Sequence, residues 1–272
     1  MTGRGCISVV GVEAVKLLAQ IKSRIVFAVC ILAPFAFAVA IRLQNSLPED
    51  TLFGRSVKES GFAVSLVVLG FAALWVLPAL TSIVGGDVFA AEDRYGTWKT
   101  LLTRSRSRAE VFAGKIIVSL AFTALAVAAL ALSSMASGVL VIGGQPLIDL
   151  SGVLLPPSRA LGRVALAWIS MVPPTLAFTA LAVLISVATR SSAAGIGLPV
   201  LIALTMQMCA FLDGPEIFRG LLITSAFSAW HGLLAEPPYY RPLVYGTLVS
   251  AAYFAGCLAI ASRLLQRRDI GG

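Results

Sequence analysis

The chain of 272 residues reads as an all-α integral membrane protein with six transmembrane helices. Composition, the length of the apolar runs and the placement of basic residues each lead there. It is 58% hydrophobic and 12% charged, about half the charge of an ordinary soluble domain, with mean hydropathy +0.92. The apolar runs fall at residues 25–41, 61–84, 116–142, 161–188, 193–212 and 243–265. Crossing about 30 Å of hydrocarbon at about 1.5 Å per residue takes about 20 helical residues. A closed barrel would show short alternating strands instead, and no stretch here alternates.

Basic residues near the span ends orient the chain. With the N-terminus cytoplasmic, that side carries Arg4, Lys16, Lys22, Arg24, Arg94, Lys99, Arg104, Arg106, Arg108, Lys115, Arg190, Arg263, Arg267 and Arg268. The other side holds Arg42, Arg55, Lys58, Arg159, Arg163, Arg219 and Arg241, spread over longer loops. Both termini are therefore expected in the cytoplasm, at a plasma membrane. The net charge of +8 belongs to this asymmetry and to anionic lipid headgroups, with no nucleic-acid partner implied.

Taken in order, residues 8–24 form an interfacial helix: Glu13, Lys16, Gln20 and Arg24 recur at helical spacing, and Val12, Val15, Leu18 and Ile21 take other turns. Ala36-Phe37-Ala38 mimics a cleavage site, but the polar stretch before the run is too long for a signal peptide. Residues 86–108 make the main cytoplasmic loop. Gly85-Gly86 ends the second span, Asp87 is placed to cap a helix, and Val88, Ala91, Tyr95, Trp98 and Leu102 share one apolar stripe. Asp87, Glu92, Asp93, Arg94 and Lys99 point elsewhere, which predicts an amphipathic helix at the membrane surface.

The loop before the fourth span carries Gly143-Gly144-Gln145-Pro146 and Pro156-Pro157, which break helices. Residues 213–242 are partly apolar, and counting them as a span would put Arg263, Arg267 and Arg268 outside; they are expected to form short helices in the external interface, with Trp230, Tyr239 and Tyr240 at headgroup depth. Pro34, Pro78, Pro173, Pro174, Pro199 and Pro242 bend or open helices. Cys6, Cys30, Cys209 and Cys257 lack metal or disulfide spacing. No Asp, Glu or Lys lies deep in a span, which weighs against an ion-coupled carrier.

Glu92, Gly96-Thr97, Leu101-Leu102-Thr103, Arg108 and Gly114-Lys115 form the pattern E-x3-G-T, L-L, then S-R and G-K, which resembles permease subunits of ABC-2 type transporters. The whole layout is similar too: an interfacial N-terminal helix, six spans, one main loop after the second and short external helices before the sixth. Ser105 departs from the proline common in that family. The resemblance implies that the loop is a coupling helix docking on a separate ATPase subunit, with Asp87, Glu92, Asp93, Arg94, Gly96, Thr97, Lys99 and Arg108 at the contact. It also implies export, a second permease subunit, identical or related, and ATP and Mg bound by the partner. Gly114-Lys115 is no P-loop, since Ala109 stands where glycine is required and Ile116 where Ser or Thr is required. No cofactor, metal or catalytic residue is expected in this chain. Gly96 is explained by close approach of a partner backbone, by a bend, or as a tolerated glycine.

Other classes explain less of the sequence. A carrier or channel, or an assembly factor, needs only the spans. An intramembrane enzyme meets a single histidine, His231, in an F-x3-H spacing that resembles membrane-embedded CAAX-type proteases. It lacks the second histidine and paired glutamates those sites use, and no G-x-S-x-G accompanies it.

Overall fold

The computed structural model describes residues 2–44, 51–98, 107–210 and 216–267. Over these described residues it is an all-α bundle with six helices long and apolar enough to cross a membrane, the architecture of a multi-pass membrane protein. In chain order the helices are α1 (Thr2–Ala19), α2 (Ile21–Leu43), α3 (Gly61–Gly85), α4 (Ala90–Arg94), α5 (Arg108–Val141), α6 (Pro157–Ile169), α7 (Val172–Thr189), α8 (Ser192–Ala210), α9 (Glu216–Leu221), α10 (Ile223–Ala226) and α11 (Arg241–Gln266). A short antiparallel hairpin, Leu147–Ile148 with Leu154–Leu155, precedes α6.

α5 and α7 form the centre. α1, α2 and α3 pack on α5, while α3, α8 and α11 pack on α7. The outer helices α2, α8 and α11 leave apolar residues such as Leu32, Leu201 and Leu248 exposed, as a lipid-facing surface requires. The inner helices meet through small residues. A Cβ on Gly61 would stand 2.3 Å from the Gly138 carbonyl oxygen, so α3 and α5 cross with backbones in contact. Some buried hydroxyls pair between helices: Ser65 and Ser134 stand 2.9 Å apart, Thr123 and Thr179 3.1 Å, and Trp168 Nε1 donates to Ser65 Oγ at 3.0 Å.

Prolines set the irregularities. Pro78 has no N–H for the carbonyl four residues back, that of Leu74, and α3 loosens into a π-type turn over Ala72–Val76. Gln207 Nε2 of α8 donates to that carbonyl at 2.6 Å. α7 begins at Val172 with Pro173 in its first turn, after a break from α6 at Ser170 and Met171.

α1, the turn after α3, the start of α5 and the end of α11 gather at one end of the bundle, termed the basic end here. α1 runs only to Ala19, so Lys22 and Arg24 belong to α2. Its apolar side is exposed at Val12, Val15 and Leu18, but Glu13 faces the bundle and is buried. At the opposite end, α9, α10 and a 3-10 turn over Ala229–Leu234 fold over the helix ends. Tyr239 and Tyr240 are half exposed there, whereas Trp230, expected at headgroup depth, is a core residue stacked on Phe53 at 6.4 Å.

Candidate functional site

The single amphipathic helix expected after α3 is replaced by a turn, the short helix α4 and a second turn. The reason is Gly96. It takes φ +65°, a left-handed conformation that other residues resist. Gly96 N–H donates to the Asp93 carbonyl at 3.3 Å and Thr97 N–H to the Glu92 carbonyl at 3.0 Å, the paired bonds of a Schellman helix end. The predicted stripe therefore splits: Trp98 is buried and stacks on Phe89 at 6.3 Å, while Tyr95 is exposed. Leu102 and Lys99 lie outside the described residues.

The E-x3-G-T spacing thus encodes a helix end and also locks a side chain. The Thr97 hydroxyl donates to Glu92 Oε2, while Glu92 Oε1 accepts from Lys115 Nζ at 2.8 Å and from Lys16 Nζ at 3.4 Å. Lys115 also donates to Glu13 Oε2 at 2.8 Å, and Lys16 to Glu13 Oε1 at 3.0 Å. Two carboxylates and two ammonium groups alternate in a closed, neutral ring joining α1, α4 and α5. Lys115 is 1% exposed, Glu13 6% and Glu92 7%, so three of its four members are internal, and Lys16 closes the ring from the exposed side. Burial pushes the Glu92 carboxyl up, but Lys115, Thr97 and Lys16 outweigh it and hold it below its ordinary value. Burial lowers Lys16, and Glu13 and Glu92 outweigh it in turn. Gly114 makes the ring possible: a Cβ there would stand 2.5 Å from Val9 Cγ1, so α1 lies directly on α5.

A second group adjoins the first. Asp87, expected to cap a helix, caps none; Lys22 donates to its Oδ2, and Arg94 Nη2 stands 3.9 Å from Oδ1. Burial raises the Asp87 carboxyl, and Lys22 and Arg94 bring it below its ordinary value. Asp93 Oδ1 accepts from Trp98 Nε1 at 3.1 Å. Ser107 and Glu110 form a capping box that starts α5. Arg108 Nη1 donates to the Gln266 carbonyl at 3.1 Å, which ties α5 to the end of α11.

The structure therefore brings together Asp87, Glu92, Asp93, Arg94, Gly96 and Thr97, and sets Arg108 at the neighbouring end of α11. Glu92 faces inward, so the surface role expected for it does not fit its geometry. The exposed tip is Arg94, Tyr95 and Gly96, with the Arg94 guanidinium 4.7 Å over the Tyr95 ring. Sequence reasoning missed Glu13, Lys16 and Lys22 as partners. The signal was present: an ionisable residue beside an apolar run, Lys115, demands a counter-charge.

A multi-pass all-α membrane protein with a buried ion ring bracing one short helix is the class that fold and site define. A family model described as "Protein of unknown function (DUF2705)" matches residues 26–271, and the chain belongs to that family. None of the curated proteins matches it.

Proposed function

We propose that the chain is the membrane-spanning permease subunit of an ATP-binding cassette exporter, with α4 as the coupling element. The observation that carries this reading is the convergence of Glu92, Gly96, Thr97 and Lys115, all residues of the E-x3-G-T and G-K pattern, on one internal knot. That knot fixes α4 to α1 and α5, so force applied at the exposed tip reaches the spans through ion pairs and not through a loose loop. In this reading the basic end is cytoplasmic, with both termini there, at the plasma membrane. Arg94, Tyr95 and Gly96 touch the ATPase; Glu92, Thr97 and Asp87 hold the tip from behind; ATP and Mg bind the partner. A second permease subunit, identical or related, completes the path within the lipid bilayer.

The test is co-expression with an ATPase subunit encoded beside this chain and carrying G-x4-G-K-[ST]. Co-purification and ATP turnover that depend on the tip are expected, with Arg94→Glu/Tyr95→Ala abolishing both while membrane insertion is kept. An ATPase that couples equally well to this double variant refutes the assignment of the tip. Absence of any co-purifying ATPase from native membranes refutes the permease assignment itself.

A further inference from the structure

The last helical bond of α3 runs from Gly86 N–H to the Ser82 carbonyl at 2.9 Å, and the pattern resumes with Ala91 N–H donating to the Asp87 carbonyl at 2.8 Å. In an unbroken helix the amides of Phe89 and Ala90 would bond the carbonyls of Gly85 and Gly86. Both turn instead to a side chain of another span: Ser186 Oγ of α7 accepts from Phe89 N–H at 3.4 Å and from Ala90 N–H at 3.0 Å. A hydroxyl oxygen has two lone pairs, so one serine takes both amides. The Gly86 carbonyl, left out of the ladder, lies against Gly195 of α8, where an added Cβ would stand 2.1 Å from it. A side chain inserted into the helical ladder is a known cause of a sharp bend, and here it separates α4 from α3.

The bend has a second conformation close at hand. Gly86 (φ −71°, ψ −26°) and Phe89 (φ −102°, ψ −41°) already hold right-handed helical angles, so closing the ladder there takes no reversal of φ. Ser186 is fully buried beside the apolar cluster of Phe89, Val183, Val187, Ala261 and Leu265, and a buried amide must find an acceptor. For Phe89 and Ala90 the choice is Ser186 or the ladder. We infer that Ser186 is a latch on a two-state element. Bonded, it holds α4 bent away from α3; released, the two amides take the Gly85 and Gly86 carbonyls and α3 runs on into α4. The latch grips the start of α4 from α7, while Glu92 pins its middle to α1 and α5. It is a property of the fold; only its use rests on the coupling reading, in which a push on the tip reaches α7 here and then α11, packed on α7.

The lever from Gly86 to Tyr95 is about 14 Å long at about 1.5 Å per residue, so removing a bend of about 20° moves the tip by about 5 Å. The full chain in nanodiscs carries spin labels on noncanonical residues in place of Tyr95 and Leu264, both exposed, which leaves its cysteines untouched. Distances are read by double electron–electron resonance, and amide exchange by mass spectrometry. Ser186→Ala removes one oxygen atom and is expected to add a second distance, displaced by about 5 Å or more. The Phe89 and Ala90 amides should exchange as slowly as in the parent, because carbonyls replace the hydroxyl. Adding Glu92→Gln loosens the other pin and should raise the share of the second distance, with cooperative unfolding kept in both variants. A single unmoved distance in both overturns the latch: with faster exchange at Phe89 and Ala90, Ser186 is a cap and nothing more; with unchanged exchange, its two bonds do not hold the bend. A second distance with faster exchange means that α4 is freed without joining α3, which overturns the two-state element. No ATPase enters the assay, so these outcomes stand apart from any failure of the transporter reading.

Discussion

Replacing Lys115 by methionine keeps the length of the side chain and removes its charge from the centre of the ring. Glu13 and Glu92 then lose bonds of 2.8 Å each, and both stay buried. Removing one partner of a buried ion pair costs about 3–5 kcal/mol. Lys16 already stands 3.0 Å from Glu13 and 3.4 Å from Glu92, and its side chain is 45% exposed. It is free to move inward and offset part of the loss, so Lys115→Met should cost about 3 kcal/mol, the low end of that range. Two buried carboxylates sharing one half-exposed cation also disfavour full ionisation, so one of them takes a raised pKa. The folded state then holds more protons than the unfolded one, and the variant should be more stable at pH 5 than at pH 7, the reverse of an ordinary carboxylate. Glu92→Gln keeps the Thr97 hydrogen bond and leaves Lys115 with Glu13, for about 1 kcal/mol. The double variant retains the Glu13 and Lys16 pair alone, and should be more stable than Lys115→Met. Unfolding in detergent, followed by tryptophan fluorescence at both pH values, measures all four proteins. A loss below about 1 kcal/mol in Lys115→Met, or strict additivity in the double variant, refutes the ring as a coupled unit.

Gly96 is required for its backbone and not for space, since nothing lies within 4 Å of an added Cβ. Gly96→Ala should therefore cost about 1 kcal/mol, Gly96→Leu no more than that, and Gly96→Asn a fraction of it; a thermal series that ranks them by size contradicts this. Acidification of the parent should destabilise it in two stages. His231 is lowered from 6.5, so the unfolded chain binds its proton first and stability declines as pH falls below that value. Glu92 and Asp87 are lowered from 4.5 and 3.8; their contribution is complete above those values and drains away as pH falls from there through the folded ones. His231→Asn should remove the upper stage alone, as read by unfolding between pH 7 and pH 3.

The knot at Glu92 was half legible in the sequence. Gly96 three residues after Asp93 is a helix-stop signal, and attention to it would have ended α4 at Arg94 in place of a continuous stripe through Leu102. The stripe misled because Phe89 and Trp98 turn inward across a glycine turn that helical periodicity does not contain. Likewise Trp230, grouped with Tyr239 and Tyr240 by proximity in sequence, is carried into the core by the 3-10 turn over Ala229–Leu234. The loosened turn in α3 was legible only as Pro78; its remedy, Gln207, lies in another span.

By itself, the sequence determined that the protein is helical, that six of its helices are long and apolar enough to span a membrane, and that its charge gathers at the span ends. Each of these follows from the solubility of a local stretch of side chains and from backbone groups that must bond within their own helix. Only the tertiary structure decided which charges face each other. Glu13 and Lys115 lie 102 residues apart, and Lys22 and Asp87 65 apart. A buried charge specifies that a partner of opposite sign must exist, without saying where in the chain it lies. That choice is made by the close approach of α1 to α5 over Gly114, which only the packed helices define.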